Sequence, residues 1–421
     1  MELKPKVLQN CNKCGLCLSV CPTYKAAGQE HASPRARLQL INYFSDQKIK
    51  STVNLKEIIS KCLMCGSCTA ICPSGIDHYL KFIKMRAAMV HDHGERAAIK
   101  SLVFLLAREY RIRLAAGLGE FARRVIPETF FKRYNLGNIS LKSVPQFNRK
   151  PFRKALPEVI EPEKDCKGTL VYFTGCATNY VFDKTGFATI NILKQMGFRI
   201  IIPAKQTCCG IPMLFHGALD QAENNILTNI ECLNIKDIRA VIVDCPTCGA
   251  ALKNEYPSFL KNRNKDASSA LEISSRVMDI MSFLLKNLES ILPEKKVQKA
   301  EKREKIKVTY HLPCHLKNGL KAPDTSEQVL KAISGIEYIK ADDRDECCGG
   351  GGTFFYEYPE ISKKMVDKKV ENAKKTRAEI WLTDCPVCRI NLSGNLADDD
   401  LIKVRHPVEI FNQFVLTGEA P

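Results

Sequence analysis

The stretch Cys11-Asn12-Lys13-Cys14-Gly15-Leu16-Cys17-Leu18-Ser19-Val20-Cys21-Pro22 reads C-x2-C-x2-C-x3-C-P, and Cys62, Cys65, Cys68 and Cys72-Pro73 repeat it without a departure. A cubane 4Fe-4S cluster takes one thiolate per iron corner. Three cysteines two apart wrap three corners, and the fourth swings away to the neighbouring cube. On that logic Cys11, Cys14, Cys17 and Cys72 hold one cluster, and Cys62, Cys65, Cys68 and Cys21 hold the other. Gly15 and Gly66 relieve crowding where the backbone bends close to the sulfides, and the proline after each fourth cysteine fixes its turn. Zinc sites use two pairs of ligands, so two quartets each ending in Cys-Pro fit cubanes better than zinc or disulfides.

Working outward, the chain up to about Arg133 reads as helical. Ser33-Pro34 resembles an N-cap and first-turn proline, followed by Leu38, Ile41 and Phe44 at roughly helical spacing. Asn54 and Glu57 resemble a capping box ahead of Ile58, Ile59 and Cys62. A further helix is expected from Asp77 to Gly94. From Arg96 to Arg133 the apolar run Leu102 to Ala107 mixes with Lys100, Arg108, Arg111, Arg113, Arg123 and Arg124, a candidate docking face. The span from Leu136 to Lys167 carries Pro145, Pro151, Pro157 and Pro162 with little periodicity, as a linker would.

Beyond it the chain repeats itself. A β run, Thr169 to Phe173, leads to Cys176; Arg199 to Ile202 leads to Cys208-Cys209; Ala240 to Val243 leads into Asp244-Cys245-Pro246-Thr247-Cys248. The same order returns with Ile306 to Tyr310 before Cys314, then Cys347-Cys348, then Ile380 to Thr383 before Asp384-Cys385-Pro386-Val387-Cys388, at an offset of about 140 residues. Strand and helix alternate in each copy. That pattern implies a parallel sheet whose C-terminal strand ends gather the cysteines. The fold class is therefore α + α/β, an all-helical ferredoxin-like domain with two 4Fe-4S clusters followed by two duplicated α/β cysteine-rich modules. The expected boundaries are 1–135 for the helical domain, 136–167 for a linker, 168–290 for the first module, 291–305 for a charged linker and 306–421 for the second module. Glu294 to Lys307, with seven basic and three acidic residues, reads as solvated.

Cys176, Cys208, Cys209, Cys245 and Cys248 form one candidate metal set, and Cys314, Cys347, Cys348, Cys385 and Cys388 the other. Five thiolates exceed what a simple cubane or tetrahedral zinc needs, so each module implies an unusual cluster or a four-ligand site with a spare thiol. Gly210, and Gly349 to Gly352, let backbone amides approach sulfide or thiolate. The glycine run lacks the G-x-G-x-x-G spacing after a strand, so no flavin is assigned to this chain. Cys166 and Cys232 lie outside every motif, with burial as small hydrophobes the default. His311 and His315 flank Cys314 and could donate hydrogen bonds to a cluster or relay protons; the default for both, and for His406, is structural.

The chain has 421 residues, enough for two or three domains without disulfide staples, so the tight, patterned groups among its 20 cysteines read as metal ligands in a reducing location. Met1 to Gln9 show no signal-peptide pattern, and no apolar run approaches the ~20 residues of a membrane-spanning helix. A cytoplasmic location follows, including peripheral contact with the cytoplasmic face of a membrane. The balance of 63 Lys+Arg against 46 Asp+Glu gives +17. Such a charge suits an acidic protein or an anionic membrane face. Nucleic acid is not expected, because the basic residues are spread along the chain without a recognition motif.

The paired cubane motif, the insert containing Pro34-Arg35-Ala36-Arg37, and the two C…CC…C-x2-C modules resemble the glycolate oxidase iron-sulfur subunit family from about Asn10 to Phe411. They are also similar to the iron-sulfur subunits of lactate-utilisation and anaerobic glycerol-3-phosphate dehydrogenase systems, and to heterodisulfide reductase. The closing Val404-Arg405-His406-Pro407-Val408-Glu409 shares in the resemblance. It implies CCG-type cysteine-rich modules that carry noncubane 4Fe-4S clusters or zinc. It further implies an electron-transfer subunit of an oxidoreductase complex, paired with an FAD-containing dehydrogenase subunit and passing electrons toward quinone or an electron-transferring flavoprotein. Clusters accept single electrons, so oxidation of a 2-hydroxy acid requires the flavin on another subunit. The rival implication is a heterodisulfide-reductase-type subunit that reduces a disulfide at a C-terminal cluster.

Overall fold

The computed structural model describes residues 11–126, 130–131, 134–141, 144–291, 305–397 and 400–417. The N-terminal part, among these residues, is built of helices: α1 (Leu16–Ser19), α2 (Pro22–Ala27), α3 (Pro34–Ser45), α4 (Val53–Ser60), α5 (Ser67–Ala70), α6 (His78–His93), α7 (Ala97–Leu106) and α8 (Glu109–Val125). Ser33 caps α3 by accepting from Ala36 N, with Pro34 in the first turn. Asp77 caps α6, and Gly94 ends it. The expected capping box at Asn54 is not used. Thr52 caps α4 instead, its hydroxyl accepting from Leu55 N, and Asn54 lies within the helix. The pattern from Arg96 onward breaks into two helices at Ala107 and Arg108.

The stretch read as a linker is more structured than its prolines suggest. It contains a short hairpin, β1 (Asn135–Leu136) with β2 (Ile139–Ser140), and β3 (Val159–Ile160) adds antiparallel to the edge of the first sheet. That sheet continues with β4 (Thr169–Phe173), β5 (Arg199–Ile201), β6 (Ile238–Val243) and β7 (Val277–Asp279), in the order β3-β5-β4-β6-β7. The second sheet holds β8 (Ile306–Tyr310), β9 (Ile336–Tyr338), β10 (Ile380–Leu382) and β11 (Lys403–Arg405), in the order β11-β10-β8-β9. Both modules thus pair their strands as second-first-third-fourth, parallel throughout. The fourth strands, β7 and β11, are too short and mixed in composition to announce themselves in the sequence. Of the charged span Glu294 to Lys307, all but the last three residues lie outside the described residues.

The first sheet is the middle layer of the molecule. Alternate residues of a strand face opposite sides, and here both sides are dry. Val171, Phe173, Val241 and Val243 join a core with Leu38, Ile41, Met85 and Met89 of the helical part. Leu170, Tyr172, Ala240 and Ile242 join another with Val308, Tyr310, Ile410 and Phe411 of the second module. The three parts are therefore packed by shared apolar interiors, each buried side chain contributing roughly 1.5–3 kcal/mol. No helix among the described residues is long and apolar enough to cross a membrane.

Candidate metal centres

The two N-terminal motifs fold alike because their sequences impose the same bends. Lys13 and Gly15 have φ of 53° and 82°; Met64 and Gly66, at the equivalent places, have 53° and 75°. Such left-handed turns tip three cysteines inward, and only glycine takes the second without strain. Cys21, Cys62, Cys65 and Cys68 line a single small pocket with Arg37, Met64, Tyr79 and Phe82. This is the quartet in which the fourth cysteine comes from the other motif. Cys17 lies within electrostatic range of Cys11 and Cys14, while Cys11 and Cys72 both act on Lys81. The second group sits nearer the surface, with Cys14 exposed and Cys11, Cys17 and Cys72 half-buried.

Arginines hold these loops from behind. Arg37, 1 % exposed, donates to Ala32 O at 2.6 Å and Ile58 O at 3.0 Å, and to Lys61 O. Arg86 donates to Ser60 O at 2.8 Å, Cys62 O at 2.6 Å and Phe215 O at 2.7 Å, binding the second motif to the first module.

In the first module the five sulfurs form a connected series, Cys176 to Cys208 to Cys209 to Cys248 to Cys245, each in side-chain contact with the next. In the second, Cys347, Cys348, Cys388 and Cys385 do the same, and Cys314 lies within electrostatic range of Cys385 and Cys348. Cys245 and Cys385 each begin a helix whose first residue is proline. The preceding aspartates anchor both turns: Tyr172 donates to Asp244 at 2.6 Å, and Tyr310 to Asp384 at 2.5 Å.

The sets also meet one another. Cys245 contacts Cys385 across the two modules. Cys65 of the helical part lies within range of Cys314 and Cys347. Around it Leu63, Phe354 and Tyr358 form a buried apolar cluster. Asn318 donates to Cys65 O at 2.9 Å and to Ser67 Oγ at 3.0 Å. The glycine run shows its use here, because a Cβ on Gly351 would stand 2.4 Å from Leu63 Cδ2. Gly349 N points at Cys347 Sγ, 3.4 Å away.

This donor chemistry fits iron-sulfur clusters. Burial pushes the Cys65 thiol up to about 11 and raises Cys68 and Cys314 strongly. Thiols packed this densely out of water ionise together only around cationic metal. None of the 20 cysteines is in a disulfide.

His311 separates the modules chemically. It is 1 % exposed, and the Cys348 sulfur is the polar group its ring addresses. Its ligand atom lies within 4.8 Å of those of Cys348 and Cys388. Hydrogen bonds from Cys347 and Cys388 hold the Cys348 thiol well below its ordinary value against burial, and His311 adds in that direction. The position three residues before the first cysteine is Phe173 in the first module, so sequence comparison of the copies contained this signal. His315 and His406 have structural partners: His315 Nδ1 bonds Thr247 Oγ1 at 3.0 Å, and His406 Nε2 bonds Asp244 O at 3.0 Å. Glu409, 4 % exposed, accepts from Arg389 at 2.7 Å and Thr185 at 2.6 Å, so the closing Val404 to Glu409 segment straps the modules together. Cys166 is exposed rather than buried, and Cys232 half-buried. Cys166 sits in the segment just before β4, where chain enters the sheet from the surface.

Comparison with known proteins agrees with this architecture. A 4Fe-4S dicluster domain matches residues 7–76, and a cysteine-rich domain matches twice, at 170–253 and 308–393. The chain is 29 % identical to a probable glycolate oxidase iron-sulfur subunit of Bacillus subtilis, over 94 % of this chain and 90 % of that one. It is 31 % identical to lactate utilization protein A of Oceanobacillus iheyensis, over 57 % of this chain and 95 % of that one. It is 26 % identical to a subunit of the dihydromethanophenazine:CoB–CoM heterodisulfide reductase of Methanosarcina acetivorans, over 98 % and 94 % respectively. Two cubane motifs ahead of a duplicated cysteine-rich module, matched along nearly the whole length, place this chain in the family of iron-sulfur oxidoreductase subunits that includes the glycolate oxidase iron-sulfur subunit and lactate utilization protein A.

Proposed function

We propose that this chain is the electron-transfer subunit of a flavin-linked 2-hydroxyacid dehydrogenase, with glycolate or lactate as the substrate class and a partner FAD protein as the site of oxidation. The observation that carries this reading is the unbroken run of candidate ligand sets, from the N-terminal quartets through Cys65 to Cys314 and Cys347, and through Cys385 to Cys245. Iron-sulfur clusters, when bound, accept and return single electrons, which suits a chain that relays between a flavin and a quinone or electron-transferring flavoprotein. Cys11, Cys14, Cys17 and Cys72, and Cys62, Cys65, Cys68 and Cys21, are the proposed cubane ligands. The two sets of five in the modules are the proposed ligands of noncubane clusters or zinc. Arg37 and Arg86 fix the loops that carry the cysteines, and Leu63, Phe354 and Tyr358 pack against one side of the junction at Cys65. The proposed location is cytoplasmic, at the face of a membrane that supplies the acceptor.

Anaerobic purification with whatever accompanies the chain, followed by iron, zinc and flavin analysis, tests this reading. A co-purifying FAD protein that oxidises glycolate, D-lactate or L-lactate and reduces the clusters supports it. Absence of any flavoprotein, with reduced clusters oxidised by a disulfide, overturns it.

One observation favours a second reading, reduction of a disulfide at the second module. A cavity of about 700 Å³ is lined by Cys65, Cys314 and Cys347 and by Lys25, Lys317, Lys364 and Lys368. It has room for a small disulfide, and its four lysines outnumber Asp345 and Glu346, to which Lys25, Lys317 and Lys368 are paired.

A further inference from the structure

Helix α8 has one face too many. Its inner side is fully engaged. Ile112 and Ala116 are buried in the core shared with the first module. Arg123 donates to Leu141 O at 3.0 Å and Val144 O at 2.6 Å. At its first turn Glu109 accepts from Tyr180 at 2.6 Å and Asn179 at 3.2 Å and pairs with Arg153. The helix therefore cannot roll about its axis without breaking these bonds.

The outer side is apolar along its whole length. Tyr110, Leu114, Leu118, Phe121 and Val125 are 50 %, 61 %, 70 %, 63 % and 63 % exposed. At 100° per residue they fall in one arc opposite Ile112 and Ala116, a ridge about 22 Å long. Phe104, at the end of α7, is 57 % exposed and extends it. Scattered exposed hydrophobics are ordinary; a contiguous ridge is not.

The charge around the ridge identifies its occupant. On the helical wheel Arg111 flanks one side, and Arg113 and Arg124 the other, with Arg108 at the N-terminal end. Arg111 lies 3.6 Å from the Phe104 ring centroid and hydrogen-bonds Tyr110, keeping its guanidinium at the ridge. The two carboxylates of the helix are accounted for, since Glu109 is turned inward onto Arg153 and Glu120 and Arg124 neutralise each other at 2.5 Å, so the net positive charge beside the ridge comes from Arg108, Arg111 and Arg113. An apolar ridge bordered by Arg108, Arg111 and Arg113 matches the acyl boundary and phosphate headgroups of an anionic leaflet. We propose that the outer face of Glu109–Val125 is an interfacial membrane-binding helix that seats this chain on an anionic phospholipid surface. It lies in the plane of the interface and does not span. The inference gives a physical basis to the membrane location in the proposed function, yet rests on no cluster, and its failure would leave the electron-transfer reading standing.

The test uses the full-length protein with its iron in place, in anaerobic co-sedimentation with vesicles of phosphatidylcholine alone or mixed with phosphatidylglycerol. Binding is expected only with the anionic lipid and should weaken as salt is raised. The double variant Leu118→Glu/Phe121→Glu should bind at least about tenfold more weakly, and Arg108→Glu/Arg113→Glu should lose much of the same affinity. Iron content and thermal unfolding of each variant report whether the fold is intact. Failure of the parent protein to bind, or equal binding by a folded Leu118→Glu/Phe121→Glu variant, overturns the proposal. It is likewise overturned if that variant keeps vesicle binding and loses a co-purifying flavoprotein, which would make the ridge a protein interface.

Discussion

Thr247 Oγ1, in the first module, lies 3.9 Å from Cys385 Sγ in the second. The same hydroxyl bonds His315 Nδ1 at 3.0 Å. One side chain in the Cys-Pro-Thr-Cys turn thus touches the candidate ligand set of the other copy. The corresponding residue in that copy, Val387, offers no hydroxyl.

Thr247→Val removes this hydroxyl while keeping the shape. It should cost about 1 kcal/mol of stability, the usual net worth of one hydrogen bond. Where the second module holds an iron-sulfur cluster as proposed, it should also shift that cluster's paramagnetic signal, while the signals of the N-terminal clusters stay in place. Denaturation and redox-poised electron paramagnetic resonance check the two effects.

His311→Phe makes the second module resemble the first at this position. Loss of a group held beside Cys348 and Cys388 should weaken metal retention in that module by roughly 10- to 100-fold. Competition with a chelator, followed by metal analysis of the variant and parent, measures it. Unchanged retention would assign His311 to packing alone.

Arg37→Ala removes the side-chain donor to Ile58 O and Lys61 O just before the second motif, and one of the donors to Ala32 O. A loss on the order of 3 kcal/mol is expected. Arg37→Lys should restore only part of it, because an ammonium cannot reproduce the guanidinium fork. Thermal unfolding of the iron-loaded protein reads both.

Glu95 supplies a pH test on a group that is not itself a candidate ligand. Burial would raise its carboxyl, but His216 at 3.7 Å, Arg96 N at 2.8 Å and Lys56 at 3.3 Å outweigh it and hold the group down at about 2. Because the folded value lies below the unfolded one, near 4.5, the ionised carboxylate stabilises the fold above that pH. The contribution is lost as pH falls toward 2. Glu95→Gln should cost on the order of 2 kcal/mol at neutral pH and flatten the acid limb of the stability curve. An unchanged acid limb would show that other carboxylates dominate it.

The cysteine spacing, the Pro and Gly punctuation and the repeat at an offset of about 140 residues were enough to read two cluster motifs, a helical first part and two α/β modules. They are local signals: a C-x2-C loop, a Ser-Pro cap or a β run before a Cys-Pro turn depends on neighbours a few residues away. The cap at Thr52, the edge strand Val159–Ile160 and the strands Val277–Asp279 and Lys403–Arg405 were not legible. Their conformations are fixed by pairing with strands distant in sequence, which propensity in so short a segment does not encode.

What the tertiary structure alone decided is how the parts meet. The first sheet buries both faces, one against the helical domain and one against the second module. That packing puts Cys65 beside Cys314, Cys245 beside Cys385, and leaves the outer ridge of α8 in solvent. No local pattern specifies such neighbours, because they follow from which apolar faces are left to cover one another once every strand and helix has formed.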